Sequence, residues 1–451
     1  MPYIANTDAD RAAMLATIGV ANVEALFADV PAQGRYPDFA LPPALSEMEI
    51  LRELEALAGC NDPVNSHSSF LGAGAYRHFI PSVVRAVLQR SEFSTSYTPY
   101  QPEVSQGTLQ AHFEYQSMLA GLTGMETANV SHYDGATSTA EAVIMALNIA
   151  SAENTRVVVS PTLPPQYRAV LRTYLQGHPA EIVGENAPPG DLDALATLIA
   201  DGAACLVVAN PDFLGRVYAP EALKALAEQI HARGGLFIIA ANPISLGLFT
   251  PPGEYGADIV TGEGQPLGID LSYGGPYLGL FATKKALVRR SAGRIVGETT
   301  DAAGQRGFVL TLSTREQHIR REKASSNICT NQALATLTAA IYLATLGKLG
   351  LRKVAELCYH KAHYAAVRLS AAPGYAVNMD GVFFNEFVVH CPQPVIEINR
   401  RLRTDFNIVG GYDLSTDYPH PAPRMLVCVT EMHTREEIDR FATALETVAS
   451  R

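Results

Sequence analysis

Short apolar runs alternate with amphipathic segments through the middle of the chain. The apolar runs lie at 157–159, 205–209 and 236–240, and the segments with helical periodicity lie at 109–122, 165–175, 192–199 and 221–232. Continuous apolar runs indicate strands buried on both faces, and helices between them indicate parallel neighbours. The pattern therefore predicts an α/β fold around a large, mainly parallel sheet, with ligands expected beyond the carboxyl ends of the strands.

The first 64 residues show helical patterning without strands between the helices. Candidate helices cover 8–15, 20–27 and 46–57, and Ser46 with Glu49 three residues later has the spacing of a capping box. A segment of this length is too short to bury a core of its own. We expect it to form a helical arm that wraps another part of an assembly.

The last third of the chain combines long helices with a smaller mixed pattern. Two long helices are predicted at 331–346 and 351–371, followed by strands near 384–390 and 424–429 and by helices near 394–403 and 434–449. Three parts follow from these patterns: an N-terminal helical arm at 1–64, a large α/β domain at 65–330, and the long helices with a small α+β domain at 331–451.

Composition and charge narrow the possible classes of protein. The 451 residues are 47% hydrophobic and carry a formal net charge of −11, which argues against a nucleic-acid or anionic-membrane surface. No run approaches the roughly 18 apolar residues that span a bilayer, and the start MPYIANTDADRAAML lacks the basic n-region of a secretion signal. Six scattered cysteines without a CxxC pair indicate reduced thiols. We therefore expect a cytoplasmic protein.

The stretch 253–283 has the frame of a cofactor site without its central residue. Residues 256–260 are predicted to form a strand, a glycine-rich turn follows, and the letters GGP introduce a return strand at 278–282. This order resembles that of enzymes of the aspartate-aminotransferase type, in which a lysine in the turn binds pyridoxal 5′-phosphate (PLP). No lysine lies between Lys224 and Lys284.

Asn242 is a second departure from that frame. It follows the predicted strand at 236–240, where a PLP enzyme usually places an aspartate beside the pyridine nitrogen. The carboxylate keeps that nitrogen protonated so that the ring accepts electrons from a carbanion, and an amide cannot carry the required charge. This part of the chain thus has the order of elements of a PLP site but lacks both the lysine and the aspartate, so an ordinary PLP site does not explain it.

The letters GATST open a predicted helix directly after a loop. Free backbone N–H groups and the helix dipole make such a start an anion site, and in a PLP-type frame it is the phosphate cup. Gly135, Thr137 and Ser138 are the candidate residues of a vestigial cup, with simple helix capping as the alternative. His132 and Tyr133 precede them and are either a ring that stacks on a cofactor or packed loop residues.

Other kinds of site have weaker support. The glycines of TGEGQPLG are spaced GxGxxxG rather than in the dinucleotide pattern GxGxxG. His67, His78 and His112 have no metal-ligand spacing with cysteine or carboxylate residues, so we expect no metal. No GxSxG nucleophile elbow is present in the sequence.

One cluster of positive charge interrupts this acidic chain. It consists of Arg315, Arg320, Arg321 and Lys323. It is predicted to be either a solvated helix face or a docking patch for an acidic partner, which would act mainly on the association rate.

Long stretches of the chain together resemble one family. They are IGVANVEALFADVP, SFLGAGAYRHFIP, TSYTPYQPEVSQGTLQ, HYDGATSTAEA, NPISLG, GEYGADIVTGEGQPLG, YGGPYLGLFATKK, GRIVGET and REQHIRREKASSNICTNQAL, and they run from about residue 18 to 335. They are similar to subunit 1, the α subunit, of the two-chain glycine decarboxylase, which is the P-protein of the glycine cleavage system. That family usually has ADP where this chain has Asn242 before Pro243, a departure of little consequence if the subunit holds no cofactor.

The resemblance implies a fold and a reaction. The family has the aspartate-aminotransferase-like fold (PLP-dependent fold type I). The P-protein decarboxylates glycine, releases CO2 and transfers the aminomethyl group to the lipoyl group of H-protein. In the split form the β subunit (subunit 2) carries the PLP lysine. This chain would then be the non-lysine half of an αβ unit, usually doubled to α2β2, with the active site near the interface.

The resemblance also suggests which residues this chain contributes to its partner's active site. Those of the loop TSYTPYQPE are Ser96, Tyr97, Thr98, Tyr100 and Gln101. The tyrosines would wall the cofactor, and the serine, threonine and glutamine would bond its phosphate or the substrate. The second group consists of Asn65, His67 and Ser68. Interface packing alone is the alternative for the loop.

Two other functions fit parts of the same pattern. An independent PLP enzyme, such as a group II-like decarboxylase or a relative of the cysteine desulfurases, would need a lysine near Gln265 and Pro266. A non-catalytic scaffold that only stabilises a PLP enzyme would tolerate changes at Tyr97 and Gln101 without loss of activity in the complex.

Overall fold

The computed structural model of the chain describes residues 5–151 and 154–450. Its α-helices are α1 Asp8–Ile18, α2 Glu47–Ala58, α3 Ser82–Leu88, α4 Gln106–Thr123, α5 Gly135–Ile149, α6 Pro165–Tyr174, α7 Leu192–Ala200, α8 Pro220–His231, α9 Gln317–Arg320, α10 Ala333–Ser370, α11 Val395–Phe406 and α12 Arg435–Ala449. Its strands are β1 Ser68–Ser69, β2 Thr127–Ala128, β3 Arg156–Val159, β4 Glu181–Val183, β5 Cys205–Ala209, β6 Arg216–Val217, β7 Leu236–Ala240, β8 Ile259–Glu263, β9 Gly279–Thr283, β10 Ile295–Thr300, β11 Arg306–Thr311, β12 Ala376–Val377, β13 Val382–Phe383, β14 Glu386–His390, β15 Ile408–Val409, β16 Tyr412–Asp413 and β17 Arg424–Cys428.

The first compact unit of the chain covers residues 1–63. In its described part, α2 begins with the predicted capping box of Ser46 and Glu49. The segment 20–27 was predicted as a full helix and is instead a 3₁₀ helix over its second half, because Asn22 caps the backbone and starts the helix late. No residue of α1 or α2 is buried. The apolar side chains of this unit therefore have no core within it.

The second compact unit covers residues 64–451 and is built around a seven-stranded sheet in the described chain. The strand order is β2-β9-β8-β7-β5-β3-β4. The five strands from β8 to β4 are parallel, whereas β9 is antiparallel to β8 and to β2. The apolar runs of β5, β7 and β9 are buried almost throughout, as a sheet covered on both faces requires.

Helices cover the two faces of this sheet with separate cores. On one face, α5 and α6 supply residues such as Val143 and Leu171, which belong to one core with Val159 of β3. On the other face, residues of α4, α8 and α10, such as Leu226, share a larger core with Ile239 of β7. Both faces of each central strand are therefore apolar, which explains why its sequence shows no alternation.

α10 links the large core to the C-terminal core. Its backbone leaves the helical conformation at Gly347, with φ 59° and ψ −174°, between the two long helices predicted from the sequence. Among the described residues α10 alone is long and apolar enough to cross a membrane, with a mean hydropathy of 1.5 in its most apolar window. Many of its apolar side chains lie in the protein cores, for example Leu343 in the first and Leu369 in the second, whereas Leu334, Leu349 and Val367 are exposed.

The C-terminal core lies beneath an antiparallel sheet of order β12-β14-β17-β16, against the end of α10 and against α11 and α12. β1 pairs in parallel with β15, so the chain enters the second unit at this core. The β10–β11 hairpin was not predicted from the sequence. It is fastened to the start of α4 because the Gln106 amide exchanges hydrogen bonds with the Phe308 backbone.

Candidate functional site

A cavity of about 340 Å³ lies at the carboxyl edge of the large sheet. The ends of β5, β7 and β8 contribute Ala209, Ala240 and Glu263 to its wall. The start of α5, the segment 72–76 and Glu386 at the start of β14 complete it. This is the place where an α/β sheet with this strand order binds ligands, as the sequence pattern predicted.

Gln265 occupies the turn in which a PLP enzyme carries its lysine. Its side chain is buried, and its Oε1 accepts from Tyr76 N at 2.9 Å. Its Nε2 donates to the carbonyls of Tyr76 at 2.9 Å and Ile269 at 2.8 Å. The amide therefore uses its hydrogen-bonding groups to hold the segment 72–76, and it offers no amine to an aldehyde.

Glu263 occupies the anion position at the start of α5. Its Oε2 accepts from Gly135 N at 3.0 Å, while its Oε1 accepts from Gln265 N and Leu278 N, each at 3.0 Å. Burial raises the pKa of Glu263 to about 7, against the opposing effect of these three backbone donors. The carboxylate thus takes the place that a bound phosphate would take at a helix N-terminus.

The other two residues of the predicted cup are also engaged within the chain. Thr137 forms a capping box with Asp134, whose Oδ1 accepts from Thr137 N at 2.7 Å. Ser138 is fully buried, and its hydroxyl donates to the carbonyl of Leu280. These contacts are those of the helix-capping alternative. The helix start has the expected position, but the hydroxyls of Thr137 and Ser138 already bond to other groups of the chain.

His132 belongs to the packed interior. It is fully buried, its ring meets that of Phe281 edge-on at 4.9 Å, and its Nε2 lies 3.1 Å from Asn129 Nδ2. Burial lowers the pKa of His132 to about 4. His132 is thus packed as the loop alternative describes, the Tyr133 hydroxyl accepts from Cys329 N at 3.2 Å, and neither ring lines the described cavity. Stacking of either ring on a cofactor stays a prediction.

The residues present do not fit PLP in this chain's own cavity. Asn242 lies at the end of β7, but its Oδ1 accepts from Ile244 N at 3.0 Å and provides no carboxylate for a pyridine nitrogen. Among the described residues that line the cavity there is no lysine, arginine or histidine. Its ionisable lining is instead acidic, with carboxyl groups from Asp134, Asp212, Glu263 and Glu386.

Glu386 closes the cavity from the side of the C-terminal core. Its Oε1 accepts from Ala73 N at 2.7 Å and its Oε2 accepts from the Tyr76 hydroxyl at 2.6 Å. Burial raises the pKa of Glu386 to about 7. Together with Gln265, this carboxyl group fixes the segment 72–76 over the cavity.

The loop at 96–103 presents its aromatic side chains outward. Tyr97 is 90% exposed and Tyr100 is 50% exposed. The loop is held by short contacts, since Ser96 Oγ lies 2.9 Å from Ser105 Oγ and Tyr100 N donates to the carbonyl of Thr98 at 2.8 Å. Gln101 is exposed at its end. Of the residues predicted from the sequence, Tyr97, Tyr100 and Gln101 thus form the exposed surface of the loop, whereas Ser96 and Thr98 are partly buried.

Arg294 supports this surface from beneath, and it was assigned no role from the sequence although it lies in the stretch GRIVGET. Its guanidinium donates to the Tyr100 hydroxyl at 3.2 Å and lies 5.3 Å from the centre of the Tyr100 ring. It also donates to the carbonyl of Cys329 at 2.9 Å and to Asn331 Oδ1 at 3.2 Å. Only the fold brings residue 294 to residue 100, so no local spacing announces the pair.

The second predicted group lies beside β1 rather than in the loop. Asn65 is exposed, and its Oδ1 accepts from Arg77 at 3.0 Å. His67 is partly buried. Ser68 is buried, and its hydroxyl contacts Glu437 and Arg440 of α12. The hydroxyl of Ser68 is thus engaged inside this chain, and the role of the group in a partner's site stays a prediction.

His78 lies beside a carboxylate and a cysteine in the folded chain, although the sequence spacing predicts no such group. Its Nδ1 lies 2.7 Å from Glu431 Oε2, and Cys358 Sγ donates to the same oxygen at 3.3 Å. These three potential metal ligands lie within 4.8 Å of one another. The direct contact between His78 and Glu431 accounts for the group as a hydrogen-bonded cluster that fastens the chain around residue 78 to the segment that follows β17.

Arg315 is not a member of a surface patch. Its guanidinium donates to the carbonyls of Ser291 and Gly293, and burial lowers its pKa. The exposed basic cluster is therefore smaller than the sequence suggested and consists of Arg320, Arg321 and Lys323. Whether it docks an acidic partner or is only solvated stays a prediction.

Comparison with known proteins assigns a family to this arrangement. The family model described as glycine cleavage system P-protein matches residues 1–445. A relative from Thermomicrobium roseum, named probable glycine dehydrogenase (decarboxylating) subunit 1, is 52% identical and is covered over 99% of both chains. A relative of the same name from Geobacillus kaustophilus is 51% identical, with 98% of each chain covered.

Solved structures support the same assignment. A crystal structure titled as glycine decarboxylase (P-protein) of the glycine cleavage system, in inhibitor-bound form, has a TM-score of 0.88 and 43% identity over 99% of this chain and 100% of that one. A sphingosine-1-phosphate lyase of Burkholderia pseudomallei, with a TM-score of 0.63 and 15% identity over 93% and 94% of the two chains, supports the fold alone. The predicted PLP-dependent fold type I is confirmed, and the chain belongs to the glycine cleavage system P-protein family.

Proposed function

We propose that this chain is the non-lysine subunit of a two-chain glycine decarboxylase. Paired with subunit 2, it decarboxylates glycine, releases CO2 and passes the aminomethyl group to the lipoyl group of H-protein. The observation that carries the proposal is the combination of a match to the P-protein family over residues 1–445 with a described cavity that has no lysine, arginine or histidine in its lining. A chain of this kind requires a partner that holds the cofactor, and we place PLP on a lysine of that partner.

The loop at 96–103 is the part of this chain best suited to complete the partner's site. PLP supplies the electron sink for the reaction, and the protein must orient the substrate and exclude water around it. Tyr97 and Tyr100 offer rigid apolar walls with hydroxyl tips, and Gln101 offers an amide beside them. Ser96 and Thr98, with Gln101, would bond the phosphate of the cofactor or the substrate, while Asn65, His67 and Ser68 remain a second candidate group.

The assembly that this function needs has further components. We place glycine and the lipoyl arm of H-protein at the αβ interface, and we propose an α2β2 assembly in the cytoplasm. The unburied apolar side chains of α1 and α2 support association with another chain. The net charge of −11 supports the proposal that neither nucleic acid nor an anionic membrane is a partner.

The proposal is tested by locating the cofactor. The chain is purified alone and together with subunit 2, and glycine–bicarbonate exchange is measured with lipoylated H-protein. We expect exchange only when both subunits are present, and borohydride reduction should attach PLP to a lysine of subunit 2. Exchange by this chain alone, or a reduced PLP adduct on one of its own lysines, would identify an independent PLP enzyme instead.

The scaffold alternative makes a different prediction for the exposed loop. If the loop completes the site, Tyr97→Phe and Gln101→Ala should each lower exchange well beyond about tenfold in an assembled complex, because correctly placed groups lower the barrier by at least 1.4 kcal/mol. Tyr364→Phe removes a tyrosine hydroxyl on α10 that bonds Asp439 and serves as the matched control. Full activity of both loop variants in an intact complex would favour the scaffold.

A further inference from the structure

We propose that Glu263 is an internal replacement for a bound phosphate and that it excludes PLP and other phosphate-bearing ligands from this chain's own cavity. The proposed function places PLP on the partner. This inference goes beyond that statement, since it concerns what keeps the cofactor out of the α chain and assigns the exclusion to one side chain. It rests on the contacts of the cavity wall and not on the partner's site.

The first support is the position of the carboxylate. In PLP enzymes of this fold, a phosphate accepts hydrogen bonds from backbone N–H groups at the start of the helix that corresponds to α5. Here the N–H group of Gly135 points to Glu263 Oε2 at 3.0 Å. An oxygen of an incoming phosphate would have to occupy the same position, and two acceptor oxygens cannot share it.

The second support is the number of donors that the same carboxylate holds. Besides Gly135, it accepts from the backbone N–H groups of Gln265 and Leu278, which lie on the turn after β8 and just before β9. One side chain thus gathers donors from three segments around the cup, as the oxygens of a phosphate do. Displacing it would leave all three donors to be paired again.

The third support is steric. A Cβ atom built on Gly135 would collide with the hydroxyl of Tyr167 and would lie 2.7 Å from Glu263 N. The side of residue 135 on which a side chain would stand is therefore filled by Tyr167 of α6 and by the backbone of β8. Glycine at position 135 is required by this close packing and does not leave an open cradle.

The fourth support is the charge around the cup. Asp134 caps α5 with its own carboxylate, so two acidic side chains already face the positive end of this helix. No cationic side chain lines the described cavity to offset a phosphate dianion. The other PLP anchors are also replaced, by Gln265 and Asn242, but neither of those residues occupies the phosphate position.

The test measures binding and does not depend on glycine chemistry. The complex with subunit 2 is reduced with borohydride, so that any PLP on the partner is fixed and counted separately. Equilibrium dialysis then measures uptake of added PLP and of pyridoxal, which lacks the phosphate. We expect Glu263→Ser to take up added PLP and the wild type to show no uptake at concentrations up to at least about tenfold above the Kd of the variant, with little difference between the two proteins for pyridoxal.

A matched control tests whether the loss of any carboxylate raises the uptake of PLP. Glu298→Gln removes an exposed carboxyl group that pairs with Arg306 outside the cavity, and we expect its uptake of added PLP to stay as low as that of the wild type. If Glu263→Ser fails to assemble, Glu263→Gln decides. Its NH2 group cannot accept from Gly135, so the freed N–H should still give a gain of about threefold or more.

Three results would overturn the inference. They are uptake of PLP by the wild type as tight as by Glu263→Ser, no gain in any Glu263 variant that assembles, and an equal gain in Glu298→Gln. The proposed function would fail separately, through the absence of reduced PLP on the partner in the first step. Unchanged glycine exchange in the unreduced Glu263→Ser complex would show that the variant acts on this cavity and not on the partner's site.

Discussion

Arg294 is the residue whose substitution best tests how the exposed loop is positioned. It is 6% exposed, and its guanidinium reaches the Tyr100 hydroxyl, the Tyr100 ring and two groups of the chain beyond residue 328. A lysine has a single ammonium group and cannot make a planar fork of hydrogen bonds at that place. We expect Arg294→Lys to lower kcat for glycine–bicarbonate exchange about tenfold in the assembled complex, with a smaller effect on KM.

Arg306→Lys is the control for that change. Arg306 also lies over an aromatic ring, 5.1 Å from the centre of Phe308, but it is exposed and pairs with Glu298 at the surface. Its replacement should leave exchange within about twofold of wild type, as a surface pair contributes little. In a double-mutant cycle, Arg294→Lys should add little to Tyr100→Phe if the arginine acts through the tyrosine. Fully additive losses would contradict a positioning role.

Gln265 shows why restoring the lysine would not restore a cofactor site. Gln265→Lys would lose three buried hydrogen bonds to Tyr76 and Ile269 and would place a charge in their position. We expect a loss of about 3 kcal/mol in the free energy of unfolding and no new PLP absorbance on this chain. Urea denaturation and difference spectra check both, with Gln176→Lys at an exposed position as the control. A stable variant that forms a reducible PLP adduct would contradict the assigned role of Glu263 as well.

At the scale of elements, the segment 72–76 depends on a carboxyl group of β14. Burial raises the pKa of Glu386 from 4.5 to about 7. The folded chain therefore holds this proton more tightly than the unfolded chain does. The stabilisation is fully present below about pH 4.5 and is lost as the pH rises toward 7. Glu386→Gln removes the titration, so its stability relative to wild type should rise across this window by at most about 1.4 kcal/mol per pH unit.

Urea denaturation at several pH values between 5 and 8 measures that change. Glu92→Gln is a control of opposite sign, because the hydrogen bond from Arg90 lowers the pKa of Glu92 from 4.5 to about 2. The contribution of Glu92 is present above about pH 4.5 and lost only as the pH falls toward 2, so its variant should show no change in this range. A Glu386→Gln variant with the pH dependence of wild type would contradict the assignment.

The elements that the sequence predicts are those with local signals. The buried strands β5 and β7 follow from uninterrupted apolar runs, and the break of α10 at Gly347 follows from the gap between two periodic segments. The β10–β11 hairpin escaped prediction. Its strands mix apolar and polar residues, and they are held partly by Gln106, about 200 residues earlier in the chain.

Only the backbone elements of the candidate site were predicted from the sequence, and not the side chains that meet there. The turn without a lysine and the helix start at GATST are visible in the sequence, but the carboxylate that fills the cup is not. Glu263 meets Gly135 across 128 residues of chain, and Arg294 meets Tyr100 across 194. Such pairs follow from the strand order and not from any local pattern. The sequence alone therefore predicts free backbone donors at the start of α5, although Glu263 binds one of them in the structure.

At the scale of the whole molecule, the two compact units differ in how their apolar residues are used. Residues 64–451 bury extensive cores, whereas the helices of residues 1–63 have no buried residue in the described structure. Apolar helix faces of this kind are stable in water mainly when another surface covers them. We expect deletion of residues 1–63 to leave the thermal midpoint of the remaining chain within a few degrees and to weaken its association with subunit 2 at least about tenfold.

A pair of substitutions on α2 tests the same prediction without a deletion. Leu54 is 55% exposed and lies on the apolar face of α2 with Ile50 and Leu57, one turn away on either side. Leu54→Glu puts a charge on that face, whereas Ala56→Glu makes the same change of charge on the opposite face of the helix. If the arm binds the partner through its apolar face, Leu54→Glu should reduce co-purification and the mass measured by light scattering, and Ala56→Glu should not. Equal loss in both variants would indicate a general effect of charge, and no loss in either would show that the partner does not cover this face.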